Sequence, residues 1–295
     1  MKIQEPCLPC IVRQTIQVAE MTNLREEDRA ALYREMFGMM AQIDFEQPAP
    51  VPIGRIFRTA VHYTGCEDPY QKLRERSDGM MLRLLPELRR TVTGSSDPLQ
   101  TAFRLAAAGN VIDYSVPGGL TDETVLTTLR KAAETAFAPD DTAALTAALI
   151  SANRLLLIGD NCGEIVLDRL LIETVRQLNP KLEVFYAVRG APVINDVTYA
   201  EAYDVGMASC AKIVSSGCSM PGTVLGDCSP EFRALWHDCD LRIAKGQGNF
   251  ESLEEDRENE SLYCLLLAKC PHIAARFETK PYSPVCAYLP AMNRT

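Results

Sequence analysis

Residues 154–173, RLLLIGDNCGEIVLDRLLIE, restrict this chain more than any other stretch. The apolar run Leu155-Leu156-Leu157-Ile158 is long enough for a short buried strand. A tight polar turn follows, Gly159-Asp160-Asn161-Cys162-Gly163-Glu164. Ile165, Val166, Leu167, Leu170 and Leu171 then recur at the three-and-four spacing of one helix face. Strand, polar loop and helix form the unit of a parallel α/β sheet. Such sheets bind ligands beyond the carboxyl ends of their strands, where Asp160, Asn161 and Glu164 are expected to sit. A carboxylate beside an amide presents hard oxygen ligands, suited to a divalent cation such as Mg²⁺ or Mn²⁺. The helix starting near Glu164 aims free N–H groups at the same place and favours an anion there. Together they suggest a phosphate ester.

The same alternation continues downstream. Strands are predicted at residues 155–158, 182–188, 211–214, 241–244 and 262–268, with helices between them. The first four strands each run into a polar, glycine-bearing loop, and all four loops should open on one sheet edge. They bring Asp160, Asn161 and Glu164, then Arg189, Asn195 and Asp196, then Ser215 and Ser216, then Lys245, Gly246, Gln247 and Asn249. Metal-assisted phosphoryl chemistry needs this inventory: a Lewis acid, a positive clamp, and a carboxylate to orient water. Single pieces have plainer readings. Asp160-Asn161 and Asp196 are good helix caps, Lys245 is an ordinary solvated lysine, and the glycines serve turns. Their occurrence after consecutive strands favours the functional reading. There is no GxxxxGK[ST] loop and no strand-ending GxGxxG, which disfavours a P-loop NTPase and a dinucleotide fold.

Residues 6–150 read as mainly helical, with helices over 25–43, 53–63, 70–90, 97–108 and 121–137. Asp97-Pro98 is a cap followed by a first-turn proline. Two domains are expected: helical 1–150, packing on or covering the cleft, and α/β 151–295. Asn110 and Asp113, in the break after the 97–108 helix, face the cleft on one reading and belong to a helix-ending turn on the other.

At 295 residues, 47% apolar and 23% charged, the chain is an ordinary globular protein. A formal net charge of −9 argues against nucleic acid as partner. No apolar run reaches the roughly 20 residues of a membrane span, and the start, MKIQEPCLPC, lacks signal-peptide character. A cytoplasmic location is expected, and self-association into a homo-oligomer stays open. The eleven cysteines are expected to be mostly reduced. Cys7-Leu-Pro-Cys10 is a redox dithiol, half a zinc site completed by Cys270 and His272 if the chain ends meet, or a packed helix start. Cys162, near a helix start, should have a lowered pKa, but no histidine is evident as its base. The three histidines, His62, His237 and His272, all fall outside the four loops.

GDNCGEIVLD, RGAPVINDVTYAEA and IAKGQGNFESL resemble the three signature segments of the damage-control phosphatase family, also called domain of unknown function 89. CLPCIVRQ resembles the opening of its microbial, CxxC-bearing subfamily. The likeness runs over nearly the whole chain. It implies a three-layer α/β/α sandwich with a mainly parallel sheet, plus a helical N-terminal domain. It also implies a divalent metal (Mn, Mg, Co or Ni) at the strand ends, and hydrolysis of small phosphometabolites such as sugar phosphates or damaged cofactor intermediates. Carried over by residue, Asp160, Asn161 and Asp196 hold the metal and Lys245 contacts phosphate. Glu164 and Asn249 match motif positions, while Arg189, Ser215 and Ser216 match more loosely as substrate contacts. Water and Asp160 both stay open as the nucleophile. Two other classes remain: an S-adenosylmethionine-dependent carboxyl methyltransferase, an activity attributed to a eukaryotic branch of the family, and a non-catalytic binder of metal or phosphometabolite.

Overall fold

The computed structural model describes residues 1–22, 24–109, 121–255 and 261–292. Its centre is β1 (Arg154–Ile158), buried from Leu155 onward. The other strands are β2 (Glu183–Val188), β3 (Lys212–Ser215), β4 (Leu241–Lys245), β5 (Leu262–Ala268) and β6 (Ser283–Tyr288). They form one sheet in the order β3-β2-β1-β4-β5-β6. β1 to β5 run parallel, and β6 pairs antiparallel with β5. The chain winds outward from β1 through β2 to β3, then returns to β4 on the other side of β1. That reversal opens a crevice between the loops leaving β1 and β4.

Successive strand residues face opposite layers, as the pleat requires. Leu155, Leu157, Val184, Tyr186, Val188, Leu241 and Ile243 share a core with α4 (Gln71–Thr93), α5 (Pro98–Ala108), α6 (Asp122–Glu134), α7 (Thr142–Ser151) and α8 (Glu164–Leu178). Leu156, Ile158, Phe185, Ala187, Ala244, Cys264 and Leu266 pack on the opposite side with α10 (Pro230–Asp238), α11 (Gly246–Leu253) and α12 (Pro271–Arg276). The remaining helices are α1 (Cys7–Met21), α2 (Glu26–Met40), α3 (Pro50–Thr64), α9 (Tyr199–Asp204) and α13 (Leu289–Met292). The architecture is the three-layer α/β/α sandwich with a mainly parallel sheet.

The five predicted strands are present within a residue or two. Asp97 caps α5, its side chain accepting from Gln100 N at 3.0 Å. Two features differ from expectation. β6 has no predicted counterpart, because a short antiparallel edge strand containing Pro284 carries little periodic signal. Residues 246–249 are the first turn of α11 rather than a loop. Gly246, at φ 74°, takes the left-handed turn that lets β4 pass straight into that helix.

A boundary at residue 150 does not coincide with a change of core, since α4 to α7 form one layer against the sheet. Among the described residues only α1 to α3 build clusters of their own, and these also take in Tyr70 and Val193. Asn110 and Asp113 lie outside the described residues. Phe103 of α5 is fully buried in the sheet's core. Phe103→Ala should destabilise the protein by about 3–5 kcal/mol in a single cooperative denaturant transition. Two resolved transitions, with the sheet unaffected, would show that the helices before residue 150 fold apart from it.

Candidate active site

The loops leaving β1 and β2 are tied together backbone to backbone. Asn161 and Asp196 form an isolated antiparallel bridge. Cys162 N donates to Asn195 O and Val197 N to Asp160 O, each at 2.9 Å. Two carboxylates and an amide thus converge at the carboxyl edge of the sheet, with Asp160 and Asp196 both buried. Arg189, at the end of β2 and also buried, lies between them. Its Nε donates to Asp196 Oδ2 at 2.6 Å, and its Nη2 is 3.7 Å from Asp160 Oδ1.

Burial, then the charge of Asp196, pushes the Asp160 carboxyl up to about 7. Burial pushes Asp196 up to about 6 against the opposing charge of Arg189. Two desolvated carboxylates that repel one another favour a shared cation. Asn161 Nδ2 donates to Asp160 Oδ2 at 2.6 Å; facing a cation, the same amide presents its oxygen. Among the described residues no three His, Cys, Asp or Glu side chains converge. A cation here would therefore take two carboxylates and one amide from the protein and complete its shell from solvent or substrate, as Mg²⁺ commonly does. The donor set fits such an ion.

Gly246 closes the pocket against Asp160: a methyl group there would overlap Asp160 Oδ2. This close approach sets the first turn of α11, with its unpaired N–H groups, beside the carboxylates. Arg189 Nη1 donates to Thr223 Oγ1 at 3.1 Å, and Thr223 donates on to Asn249 Oδ1 at 2.8 Å. Asn249 Nδ2 donates to Gly159 O and Lys245 O. Asn249 therefore ties the end of β1 to the end of β4.

Lys245 lies beneath the pocket. Its Nζ is fully buried and donates to Glu164 Oε1, to Asp168 Oδ1 at 2.6 Å and to Ala106 O at 2.8 Å. All three ammonium donors are taken, so a phosphate contact by Lys245 requires one of them to be released. Burial alone would lower the Lys245 pKa, but Asp168 and Glu164 outweigh it and hold the lysine charged. Its charge also reaches Asp160 and favours the ionised carboxylate there. The Ser215 and Ser216 hydroxyls accept from Gly217 N and Cys218 N in their own turn, which leaves each O–H still able to donate.

A family model described as the damage-control phosphatase ARMT1-like domain matches residues 3–284. The chain belongs to this family. A damage-control phosphatase of Pyrococcus horikoshii is 31% identical over 287 residues, covering 97% of this chain and 98% of the relative. One of Archaeoglobus fulgidus is 28% identical over 277 residues, covering 93% and 94%. A crystal structure of a DUF89 family protein from Pyrococcus horikoshii superimposes with a TM-score of 0.90 at 29% identity, covering 98% of this chain and 99% of that one.

Several site residues of this damage-control phosphatase family member were not anticipated from sequence. Asp168 follows Glu164 by one helical turn, so the spacing Glu164-x-x-x-Asp168 already put both carboxylates on one face of α8. Lys269 follows β5 at the same sheet edge, its N–H held by Gln247 Oε1 at 2.6 Å, and its charge reaches Asp160. Counting β5 with the other loop-bearing strands would have found it. Thr223 and the α4 residues Arg74 and Asp78 carried no local signal. Cys162 departs from expectation: burial raises its thiol pKa well above the ordinary value, where a helix start was expected to lower it. Cys7 and Cys10 open α1, and burial raises both thiols above the ordinary value. Met1 shares a core with Ile273 and Ala274, so the chain ends do meet, but among the described residues no three such side chains gather to hold a metal. All eleven cysteines are free thiols. His62, His237 and His272 lie on α3, α10 and α12.

Lys245→Met leaves the buried acids Glu164 and Asp168 without their cation and should destabilise the fold by about 3–5 kcal/mol. Burial pushes Glu164 up to about 8, with Lys245 holding it down. The folded state therefore keeps a proton that the unfolded chain releases above roughly pH 4, and stability falls as pH rises. In the wild type this fall stops once Glu164 ionises near pH 8. In the variant the carboxyl titrates higher and the fall continues. The difference in denaturant midpoint should widen between pH 7 and pH 9; a constant difference would contradict the triad.

Proposed function

We propose that this chain is a divalent-metal-dependent phosphatase acting on small phosphorylated metabolites. One observation carries the reading: Asp160 and Asp196, mutually repelling and buried, face the sheet's crevice beside Asn161, Arg189 and the start of α11. The names of the archaeal relatives, damage-control phosphatases, support both the reaction and a role in metabolite repair. Among the described residues no helix is long and apolar enough to cross a membrane.

Asp160, Asn161 and Asp196 would hold the cation, which would supply Lewis-acid chemistry toward the phosphoryl oxygens and water. The chain's own groups do the rest. Arg189, held charged by Asp196 and Asp160 against burial, places a positive charge at the phosphoryl position without leaving its carboxylate partner. The first-turn N–H groups of α11, which begins beside Asp160, would bind phosphoryl oxygens. Lys269, partly exposed at the rim, adds a second cation to that clamp. Lys245 and Glu164 act from below, holding the loops and biasing Asp160 by charge.

Phosphate release from p-nitrophenyl phosphate and a panel of sugar phosphates tests the reading, first with EDTA and then with Mn²⁺, Mg²⁺, Co²⁺ or Ni²⁺ restored. Turnover should vanish with EDTA, return with metal, and be abolished in Asp160→Asn and Asp196→Asn. Full turnover in EDTA, or in either variant, would overturn it.

A further inference from the structure

The two ligand-bearing loops share an unusual backbone feature. Each contains one residue in the left-handed region close to its ligands: Gly163 at φ 81° in the β1–α8 loop and Ile194 at φ 48° in the β2–α9 loop. Glycine takes this conformation freely. A β-branched isoleucine does not, and its strain must be outweighed by surrounding contacts. Both residues are held by side chains from one face of α4.

Asp78 is buried, and its Oδ1 accepts from Gly163 N at 2.5 Å. That bond fixes the turn between Asn161 and α8. Arg74, one helical turn earlier, is 1% exposed and spreads its guanidinium over three partners. Its Nη1 donates to Ile194 O at 3.0 Å, directly satisfying the carbonyl of the strained residue. Its Nε donates to Glu201 Oε1 at 2.8 Å, and its Nη2 pairs with Asp68. Glu201 in turn closes the capping box of α9 with Thr198, two residues after Asp196. Val193, next to Ile194, is fully buried among Val18, Leu32, Phe57 and Tyr70. Ile194 is thus held by α4 through Arg74 and by the cluster that α1 to α3 build, in addition to the backbone bridge from its loop to the β1–α8 loop.

Resting on the metal reading above, we infer that Arg74 and Asp78 are positioning residues that set the metal-ligand loops from outside the pocket, Asp78 through Gly163 and Arg74 through Ile194 and Glu201. The hydrogen bonds of Arg74 go to Ile194 O, Glu201 and Asp68, and Asp78 accepts from Gly163 N, so both hold the loops through groups beside the ligands; the Arg74 charge also reaches Asp196 and favours its ionised form. The function of the helical region is then to hold both ligand loops at once, because the i, i+4 spacing on a single helix couples the two restraints. Outer supports of this kind typically govern metal affinity by about 10–100-fold.

Calorimetric titration of Mn²⁺ into the full-length protein tests this independently of turnover. Asp78→Ala and Arg74→Ala should weaken Mn²⁺ binding by about 10-fold or more, while Asp78→Asn, which keeps the acceptor for Gly163 N, should stay near wild type. Arg74→Lys keeps the charge but loses the fork over Ile194 O and Glu201, so it should behave like Arg74→Ala; it carries the same readout if the alanine variants do not fold. Arg89→Ala is the control. Arg89 joins the same helix to α8 through Glu173 at 2.7 Å without touching either loop, and its loss should leave Mn²⁺ affinity unchanged. Wild-type affinity in Arg74→Lys and in Asp78→Ala, with the wild type binding Mn²⁺, would overturn the inference alone. A wild type that binds no divalent cation would overturn the metal reading and this inference with it.

Discussion

A lysine ammonium with no exposure to solvent sits beneath the crevice, and the surrounding structure is built to keep it charged. Lys245 reaches from the end of β4 to Glu164 and Asp168 on α8 and to the last turn of α5 through Ala106 O. Removing one partner from such a set leaves an uncompensated buried charge, so the three elements hold their relative positions at a cost in stability if any partner is lost. The consequences run upward. Glu164 opens α8 directly behind the turn that carries Asp160 and Asn161, and Gly246, the residue after Lys245, touches Asp160. The triad therefore locates one carboxylate of the pocket, while Arg189 locates the other.

A second set of restraints arrives from the opposite direction. α4 runs along the sheet's core with Met81, Leu85 and Leu88 and turns Arg74 and Asp78 toward the ligand loops. The helical region is thus continuous in packing with the sheet, and in that role it resembles a layer more than an appended domain. One strained residue lies beside the pocket: Ile194 is left-handed two residues before Asp196, and its carbonyl is held by an arginine 120 positions earlier in the chain. A loop shaped this way is preorganised, so that on the proposed reading an ion or phosphate would meet groups already in place.

The parts of this arrangement that local sequence reveals are those with a local cause. A strand followed by a polar turn and a helix face marked β1, its loop and α8, and the repeat of that pattern placed Asp160, Asn161, Asp196 and Arg189 on one edge. What sequence could not reveal was depth. Lys245 reads as a surface or substrate-facing lysine because nothing in Ile243-Ala244-Lys245 discloses the two carboxylates waiting on α8. Ser215 and Ser216 read as phosphate hydroxyls, and their acceptance from Gly217 N and Cys218 N, which shapes the turn, is a local bond that the sequence did not announce. Asp78 and Arg74 are separated from their partners by 85 and 127 positions, and in the sequence they are two charges in a long, arginine-rich helix. Their roles follow from tertiary contacts alone.

The central claim is that Asp160, Asn161 and Asp196 form one cation site at the sheet's carboxyl edge. Crystals of the full chain soaked with Mn²⁺ and measured at the manganese absorption edge test it most directly. The account predicts one strong anomalous peak between the Asp160 and Asp196 carboxylates, within coordination distance of the Asn161 amide oxygen and with Arg189 still beside it. A peak elsewhere, for instance at Cys7, Cys10 and Cys270, or no peak in the crevice at saturating Mn²⁺, would contradict it.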